Sequence, residues 1–340
     1  FLKMVFFTVF FRTFGFLTAL LAFFLLISIL LNLTNNLQKS EFTMIEGDLN
    51  SKNIIGVINL NGPIFNNSSN VLENNFYNYI NPEHIRLYLE ELKELNVKIL
   101  LIKINSPGGT VTATAQLENI FKNFKKEAKV KIYFFTSEIL ASGGYWIATT
   151  ADGIFASYGS TIGSIGVGGP SWYYYNTPLS VSSGLLGQSI ETEKGIEVFN
   201  QNAGQSKDLF NPFRKPKDQE ILHLQKIVDE IYEDFITKVS KNRNIEIKTI
   251  RNNIGALIYS STQAKDKFLI DDVVTYSSLI KYIIKKNNYD DYKIYENITK
   301  KSLLGNFFAI YKNNNSGKFN ICNRFKMTIN VITPLFLNEC

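Results

Sequence analysis

Ser142 stands in Ala141-Ser142-Gly143-Gly144-Tyr145-Trp146, a serine among small residues where an apolar run passes into a helix-forming stretch. That is the setting of a nucleophile at a strand-to-helix turn. A hydrolase would activate such a serine with a base. The chain holds only two histidines, His84 and His223, and neither lies where a hydrolase would use it. The expected base is therefore a lysine. Acyl transfer also needs donors for the oxyanion. Gly108 and Gly109 follow a predicted strand ending in Asn105-Ser106-Pro107. Without Cβ atoms, their backbone can come close to a substrate carbonyl and turn an N–H toward it. Gly143 offers a second N–H beside the nucleophile. Either glycine-rich turn alone reads as an ordinary turn; together they predict an oxyanion hole.

These residues must be positioned by the elements around them. Ile54–Leu60, Val97–Ile104, Val130–Phe135 and Gly153–Ala156 read as buried strands. Pro82–Leu95 has helical spacing, with Ile85, Leu89, Leu92 and Leu95 on one face. A second helix carries Val111, Ala115, Ile120 and Phe124, and a third opens at Ser142 and runs through Ala148. Strand and helix alternate, which predicts an α/β domain with mainly parallel pairing. The pattern breaks after Gly169, where Trp172-Tyr173-Tyr174-Tyr175 and a Ser/Gly-rich run read as an insertion. This aromatic cluster suits a bilayer interface, a substrate groove or plain packing. Pro216–Arg243 returns as a long helix, in which His223 is expected to pack beside Leu224; His84 is expected to be exposed. No repeat is present, so one catalytic unit is expected. The boundaries are 1–50 for an anchor and linker, 51–285 for the catalytic domain and 286–340 for a C-terminal extension.

The 340 residues are 45% hydrophobic with a net charge of +6, enough apolar material for a sizeable core. Part of the excess charge sits in stretches such as Lys281, Lys285 and Lys286, and Lys300 and Lys301; no basic patch with interleaved aromatics of the nucleic-acid-binding kind is present, so no nucleic-acid partner is expected. Cys322 and Cys340 have neither metal-ligand spacing nor the number for a disulfide framework. From Phe14 to Leu31 there is no charge, and 18 residues rise about 27 Å, near the thickness of a bilayer core. Lys3 and Arg12 precede this run, and Glu41, Glu46 and Asp48 follow it. That asymmetry predicts an uncleaved anchor with the bulk of the chain outside the cytoplasm; a cleaved signal peptide is the competing reading.

In this order, Ile104-Asn105-Ser106-Pro107-Gly108-Gly109, Ala141-Ser142-Gly143-Gly144-Tyr145, Gly159-Ser160-Thr161-Ile162-Gly163-Ser164-Ile165-Gly166-Val167 and Gly204-Gln205-Ser206-Lys207-Asp208 carry a resemblance. From about Ile54 to Ile284 the chain resembles the signal peptide peptidase A family, the protease IV type of membrane-anchored Ser/Lys peptidases. The resemblance implies the fold shared by the Clp protease subunit and the crotonases, a spiral of ββα units, here preceded by one transmembrane helix. It implies Ser142 as nucleophile, Gly109 and Gly143 as oxyanion amides, Lys207 as base and Ser164 as the hydroxyl that holds the base. A lysine accepts a proton only when neutral, which needs desolvation and no carboxylate at hand; the adjacent Asp208 would oppose this if it pointed the same way. Lys194 is the rival base, lying among Glu191, Glu193 and Glu197, which would keep it charged.

The resemblance further implies degradation of signal peptides left in the membrane, a homo-oligomeric ring and a cytoplasmic (inner) membrane location with the domain extracytoplasmic. No metal or cofactor is expected. The segment between Val167 and Lys207 is longer than the family pattern. Two other readings share the fold: a catalytically silent membrane scaffold and a crotonase-type acyl-CoA enzyme. The membrane span and the set Ser142, Ser164 and Lys207 argue against the second.

Overall fold

The structure is a computed structural model that describes residues 2–36, 42–66, 79–174, 182–184, 187–189 and 203–297. It divides into two units, Phe1–Phe42 and Thr43–Cys340. Among the described residues the first holds one helix, α1 (Leu2–Asn36). Its stretch Phe6–Ile27, 22 residues of mean hydropathy 2.1, is long and apolar enough to cross a membrane, as an anchor or a signal sequence. Every side chain of that stretch is exposed. Thr13 donates its hydroxyl to the Val9 and Phe10 carbonyls and Thr18 to that of Gly15. Polar groups satisfied within the helix suit an apolar surrounding.

In the second unit the apolar runs become strands of one sheet. Its order is β1 (Phe42–Gly47), β12 (Lys293–Asn297), β2 (Ile54–Asn61), β3 (Ile99–Asn105), β4 (Lys131–Thr136), β6 (Gly153–Ala156) and β11 (Asp272–Val273). From β12 to β11 each adjoining pair is parallel. Both faces are covered, which is why the central strands read as unbroken Ile, Leu and Phe rather than alternating. One face, with Val57, Leu101 and Tyr133, packs on Leu279, Ile280 and Ile283 of a C-terminal helix (Tyr276–Lys286). The other receives α2 (Pro82–Glu94) and α3 (Val111–Ala128), where the Phe121 ring meets Phe134 edge-on at 5.7 Å.

After each long strand the chain turns and makes a short crossing segment before its helix. Ile64 bridges Gly109 and Ser106 bridges Leu140, both in parallel. β5 (Ile139–Ala141) pairs in parallel with β7 (Thr161–Gly163), and β10 (Ile258–Ser260) closes that second sheet antiparallel to β7. Strand, short strand, helix is thus the recurring step, the expected ββα spiral. α4 (Gly143–Ala148) follows β5, and α5 (Asp218–Arg243) follows the insertion, in which β8 (Ser182–Gly184) and β9 (Gly187–Ser189) form an antiparallel pair.

Several details differ from expectation. The linker expected at the end of the 1–50 segment contains β1. β12 lies beyond the expected boundary at 285, paired along β2 from Ile54 to Val57. His223 is exposed, not packed, because α5 is buried mainly from Phe235 onward; His84 is exposed as expected. Lys194, its glutamates, Tyr175, both cysteines and the 298–340 tail lie outside the described residues.

α4 is held from the side by a buried carboxylate. Glu118 of α3, 3% exposed, accepts from Trp146 Nε1 at 2.8 Å and pairs with Lys122 and, at 3.1 Å, Lys238 of α5. The Trp146 ring stacks on Phe235 at 4.8 Å. Burial pushes the Glu118 carboxyl up, but its hydrogen bonds to Lys122, Trp146 and Lys238 outweigh that and hold it below the ordinary value. Its charged contacts therefore stabilise fully above the ordinary carboxylate range and are lost as pH falls through the lowered value. Glu118→Ala should destabilise the protein by about 2 kcal/mol in denaturant titration at neutral pH, with the difference from wild type shrinking in acid. Equal stability of the two proteins at neutral pH would show that the carboxylate does not hold α4.

Candidate active site

The serine's position follows from strand pairing. β5 runs beside β7 with Ala141 opposite Gly163, and the Ser142 N–H donates to the Gly163 carbonyl at 2.9 Å. On its other side β5 is tied to the segment after β3: Ser106 N–H donates to Ile139 O at 2.8 Å and Ala141 N–H to Ser106 O at 3.0 Å. Asn105 fixes the turn between β4 and β5, its Oδ1 accepting from Thr136 Oγ1 and from the Ser137 and Glu138 amides. Residues in Asn105-Ser106 and Ala141-Ser142 thus shape one another's backbone.

Ser142 itself sits at φ 51°, ψ −124°, outside the regions a side-chain-bearing residue normally occupies. Such a conformation costs on the order of 1–3 kcal/mol and persists only where its surroundings fix it. Here α4 starts at the next residue and is pinned on both flanks, by Trp146 to Glu118 and by Tyr145, whose hydroxyl donates to the Leu269 carbonyl at 2.8 Å. Complete burial pushes the Tyr145 phenol well up, so it stays a neutral donor.

Around this turn glycines are needed for room. A Cβ on Gly108 (φ +104°) would fall 2.7 Å from Ser142 Cβ and 3.0 Å from its Oγ. One on Gly109 would fall 2.0 Å from the Ile64 carbonyl oxygen. One on Gly143 would fall 2.4 Å from Thr114 Oγ1 and 3.4 Å from the Gly109 nitrogen. The Gly109 and Gly143 amides therefore lie beside each other and beside Ser142. Neither donates to an acceptor among the described residues. Two free N–H groups next to a serine hydroxyl can receive the charge that develops on a carbonyl oxygen under attack. Thr114 and Ser106 wall this cradle; Thr114 carried no sequence signal, and Ser106 stood in the quoted motif without a role of its own. Ser106 Oγ accepts from Gly108 N–H at 3.2 Å, and Thr114 Oγ1 donates to Thr110 O at 2.9 Å.

Ser164 is the first residue after β7, as Ser142 is after β5, so the parallel register sets the two at adjoining positions. It too has positive φ, 52°, and its N–H donates to Leu257 O at 2.8 Å. Lys207 is placed differently. It lies exposed on the loop before α5, and no hydrogen bond or ion pair joins its side chain to any described residue. The structure brings Ser142, Gly109, Gly143 and Ser164 together; no hydrogen bond joins the Lys207 side chain to any of them. Asp208 is directed to Arg214, Nε to Oδ2 at 2.6 Å, and not to Lys207. Trp172 packs on this same loop, its ring 5.3 Å from Phe210 and its Nε1 donating to Asn211 O at 3.1 Å. Of the three roles open to the aromatic cluster, packing holds for Trp172; Tyr173 and Tyr174 are exposed.

Residues 124–290 match the model described as Peptidase family S49. The chain carries a peptidase family S49 domain. Relatives include a candidate signal peptide peptidase SppA of Enterococcus faecium, 29% identical over 280 residues, 79% of this chain and 75% of that one. A candidate protease of Methanocaldococcus jannaschii is 33% identical over 215 residues, 62% of this chain and 64% of that one. Protease 4 of Haemophilus influenzae is 26% identical over 231 residues, 68% of this chain but 34% of that longer protein. Among solved structures, a point mutant of ClpP1 from Listeria monocytogenes overlaps with a TM-score of 0.42 at 14% identity, over 66% of this chain and 94% of that one. A point mutant of the 1510-N membrane-bound stomatin-specific protease gives 0.40 at 16%, over 68% and 84%. The S49 match begins at Phe124 and so takes in Ser142, Ser164 and Lys207 but not Gly108 or Gly109.

The glycine cradle gives a direct test. Gly143→Ala should lower peptide hydrolysis by roughly 100-fold or more, since its methyl would displace Thr114 or the amide beside Ser142. Gly159→Ala, where nothing lies within 4 Å of the added carbon, serves as a control for a methyl added without a close approach. Equal rates for the two variants would show that the close approach at Gly143 is not needed for turnover.

Proposed function

We propose that the chain is a membrane-anchored serine endopeptidase that uses a Ser/Lys dyad to degrade remnant signal peptides after their release from preproteins. The observation that carries this reading is Ser142 at a strained strand-to-helix turn with the unpaired Gly109 and Gly143 amides beside it. Ser142 Oγ attacks the scissile carbonyl, and those two N–H groups stabilise the resulting oxyanion. Lys207 takes the serine proton and then delivers it to the leaving amine; in the second half it activates the water that releases the acyl group. Ser164 orients the lysine. Both histidines are exposed, on α2 and α5, which fits a lysine in the base's role.

The signal-peptide substrate rests on the relatedness to the E. faecium protein and on α1, which would keep the site at the membrane where such peptides remain. We place the catalytic domain on the extracytoplasmic face of the cytoplasmic membrane, from Lys3 and Arg12 ahead of the apolar run.

In this reading Lys207 meets Ser142 across a subunit boundary in a homo-oligomeric ring. Two features support it: the Lys207 side chain has no hydrogen bond or ion pair among the described residues, and the leading half of α5 exposes Ile221, Leu222 and Ile227, 49%, 69% and 43% accessible. Closed cyclic symmetry would cover every such face.

Ser142→Ala and Lys207→Ala should each abolish peptide hydrolysis, and Lys194→Ala should leave it close to wild type. Hydrolysis by Ser142→Ala within about tenfold of wild type would sink the mechanism. Mixing the two inactive variants should restore part of the activity, because some interfaces then pair an intact Ser142 with an intact Lys207. No recovery despite proven mixing would put both residues of the dyad in one subunit.

A further inference from the structure

The loop that carries Lys207 is organised by one side chain. Arg214 uses both edges of its guanidinium. Nε and Nη2 hold Asp208, at 2.6 Å to Oδ2 and 2.9 Å to Oδ1. Nη1 and Nη2 hold Glu220 of α5, at 2.9 Å to Oε2 and 2.8 Å to Oε1. Nη1 also donates to Lys215 O at 3.1 Å, and the group lies 5.1 Å from the Trp172 ring centroid. Two bidentate carboxylate contacts on one planar fork fix direction as well as distance. Glu220, 4% exposed, also accepts from the Lys217 N–H at 2.8 Å, which ties the loop to the first turn of α5.

We propose that Arg214 is a positioning residue for catalysis: it draws the Asp208 carboxylate away from Lys207 and fixes the Lys207 loop on α5. This rests on Lys207 being the base. A base lysine has to become neutral, and a free carboxylate one residue away would favour its charged form. With Arg214 in place, the Asp208 charge is matched by the guanidinium. The hydrogen bond from Arg214 holds the Asp208 carboxyl below its ordinary value. Glu220 is lowered to about 2, by Arg214 first and then by the Lys217 amide. All three groups therefore stay charged across the working pH range, so the clamp does not open as pH changes. The other charged groups near it are Lys215, which lies over the Tyr174 ring, and Lys217 and Asp218 where α5 begins. Trp172 gives the insertion a part in this arrangement, since its ring covers the guanidinium and its Nε1 bonds the same loop.

The test is the pH dependence of kcat/KM for peptide hydrolysis by the detergent-solubilised full chain. The rate should rise with pH as the base loses its proton. Arg214→Gln should move the midpoint of that rise upward by about half to one pH unit, because Asp208 is then free to hold the lysine's proton. Adding Asp208→Asn to Arg214→Gln should return the midpoint to the wild-type value. Glu220 still lacks the guanidinium in that double variant, so its loss is common to both, and a merely structural role for Arg214 would not produce the return. A lower rate with an unmoved midpoint in Arg214→Gln overturns the proposal, as does a double variant that keeps the shifted midpoint. Arg214→Lys, which keeps the charge but cannot bridge two carboxylates, should show a smaller upward shift. It decides the question if Arg214→Gln does not fold, and an unmoved midpoint in Arg214→Lys is then the contrary result. Lys207→Ala separates this proposal from its premise: full activity in that variant would remove the lysine base itself, whatever Arg214 does.

Discussion

The parallel pairing of β5 with β7 is the constraint on which the site depends. It places Ala141 opposite Gly163 and leaves the next residue of each strand, Ser142 and Ser164, at adjoining positions. The Gly163 carbonyl takes the Ser142 amide, which holds the serine at a backbone conformation it would not adopt alone. Everything around the turn resists its relaxation. The Ser106 backbone holds β5 from the other side, Tyr145 and Trp146 anchor α4, and Gly108 is too close to admit a Cβ. Slipping β5 by one residue would turn Ser142 to the opposite face of the strand and away from the glycine amides.

The main strands and long helices are legible in the sequence because their signal is a sum over many residues. The apolar run Gly153–Ala156 is a strand to the residue, and Ile54–Leu60 and Val97–Ile104 match theirs to within two residues at each end. The short segments are not legible. β7, β10 and β11 are two or three residues long, and a segment of that length has no period to detect. They form because a neighbouring strand offers unpaired backbone groups. β12 hides in Lys293–Asn297, a polar-looking stretch whose side chains are largely half-buried at the sheet's margin beside β1. Its Asn297 side chain accepts the Asn59 amide at 2.7 Å, a contact spanning 238 residues that no local pattern contains. His223 shows a related limit: helical spacing predicts which residues share a face, not whether anything covers that face.

Within the site, the glycines are legible because close approach restricts the residue type at each position. Ser142 is legible from its small neighbours. Glu118 and Arg214 are not, since a charged residue on a helix or loop reads as solvated until its partners are known. Both satisfy several groups at once. Glu118 joins α3, α4 and α5 around the helix that follows Ser142, and Arg214 joins the Lys207 loop, α5 and Trp172. One arrangement holds the serine and the other holds the lysine's loop, on elements that make contact through α4 and α5. In the proposed mechanism a free Asp208 would favour the charged form of the base lysine; its carboxylate is instead paired with Arg214.

Every catalytic role proposed for this site depends on Ser142 being a reactive nucleophile. The most direct measurement is covalent labelling of the full chain in detergent with a fluorophosphonate probe, followed by mass-spectrometric mapping of the modified residue. Modification at Ser142, lost on unfolding the protein before exposure to the probe, is the predicted result. Modification at another residue, or no modification of protein that hydrolyses peptides, would contradict it.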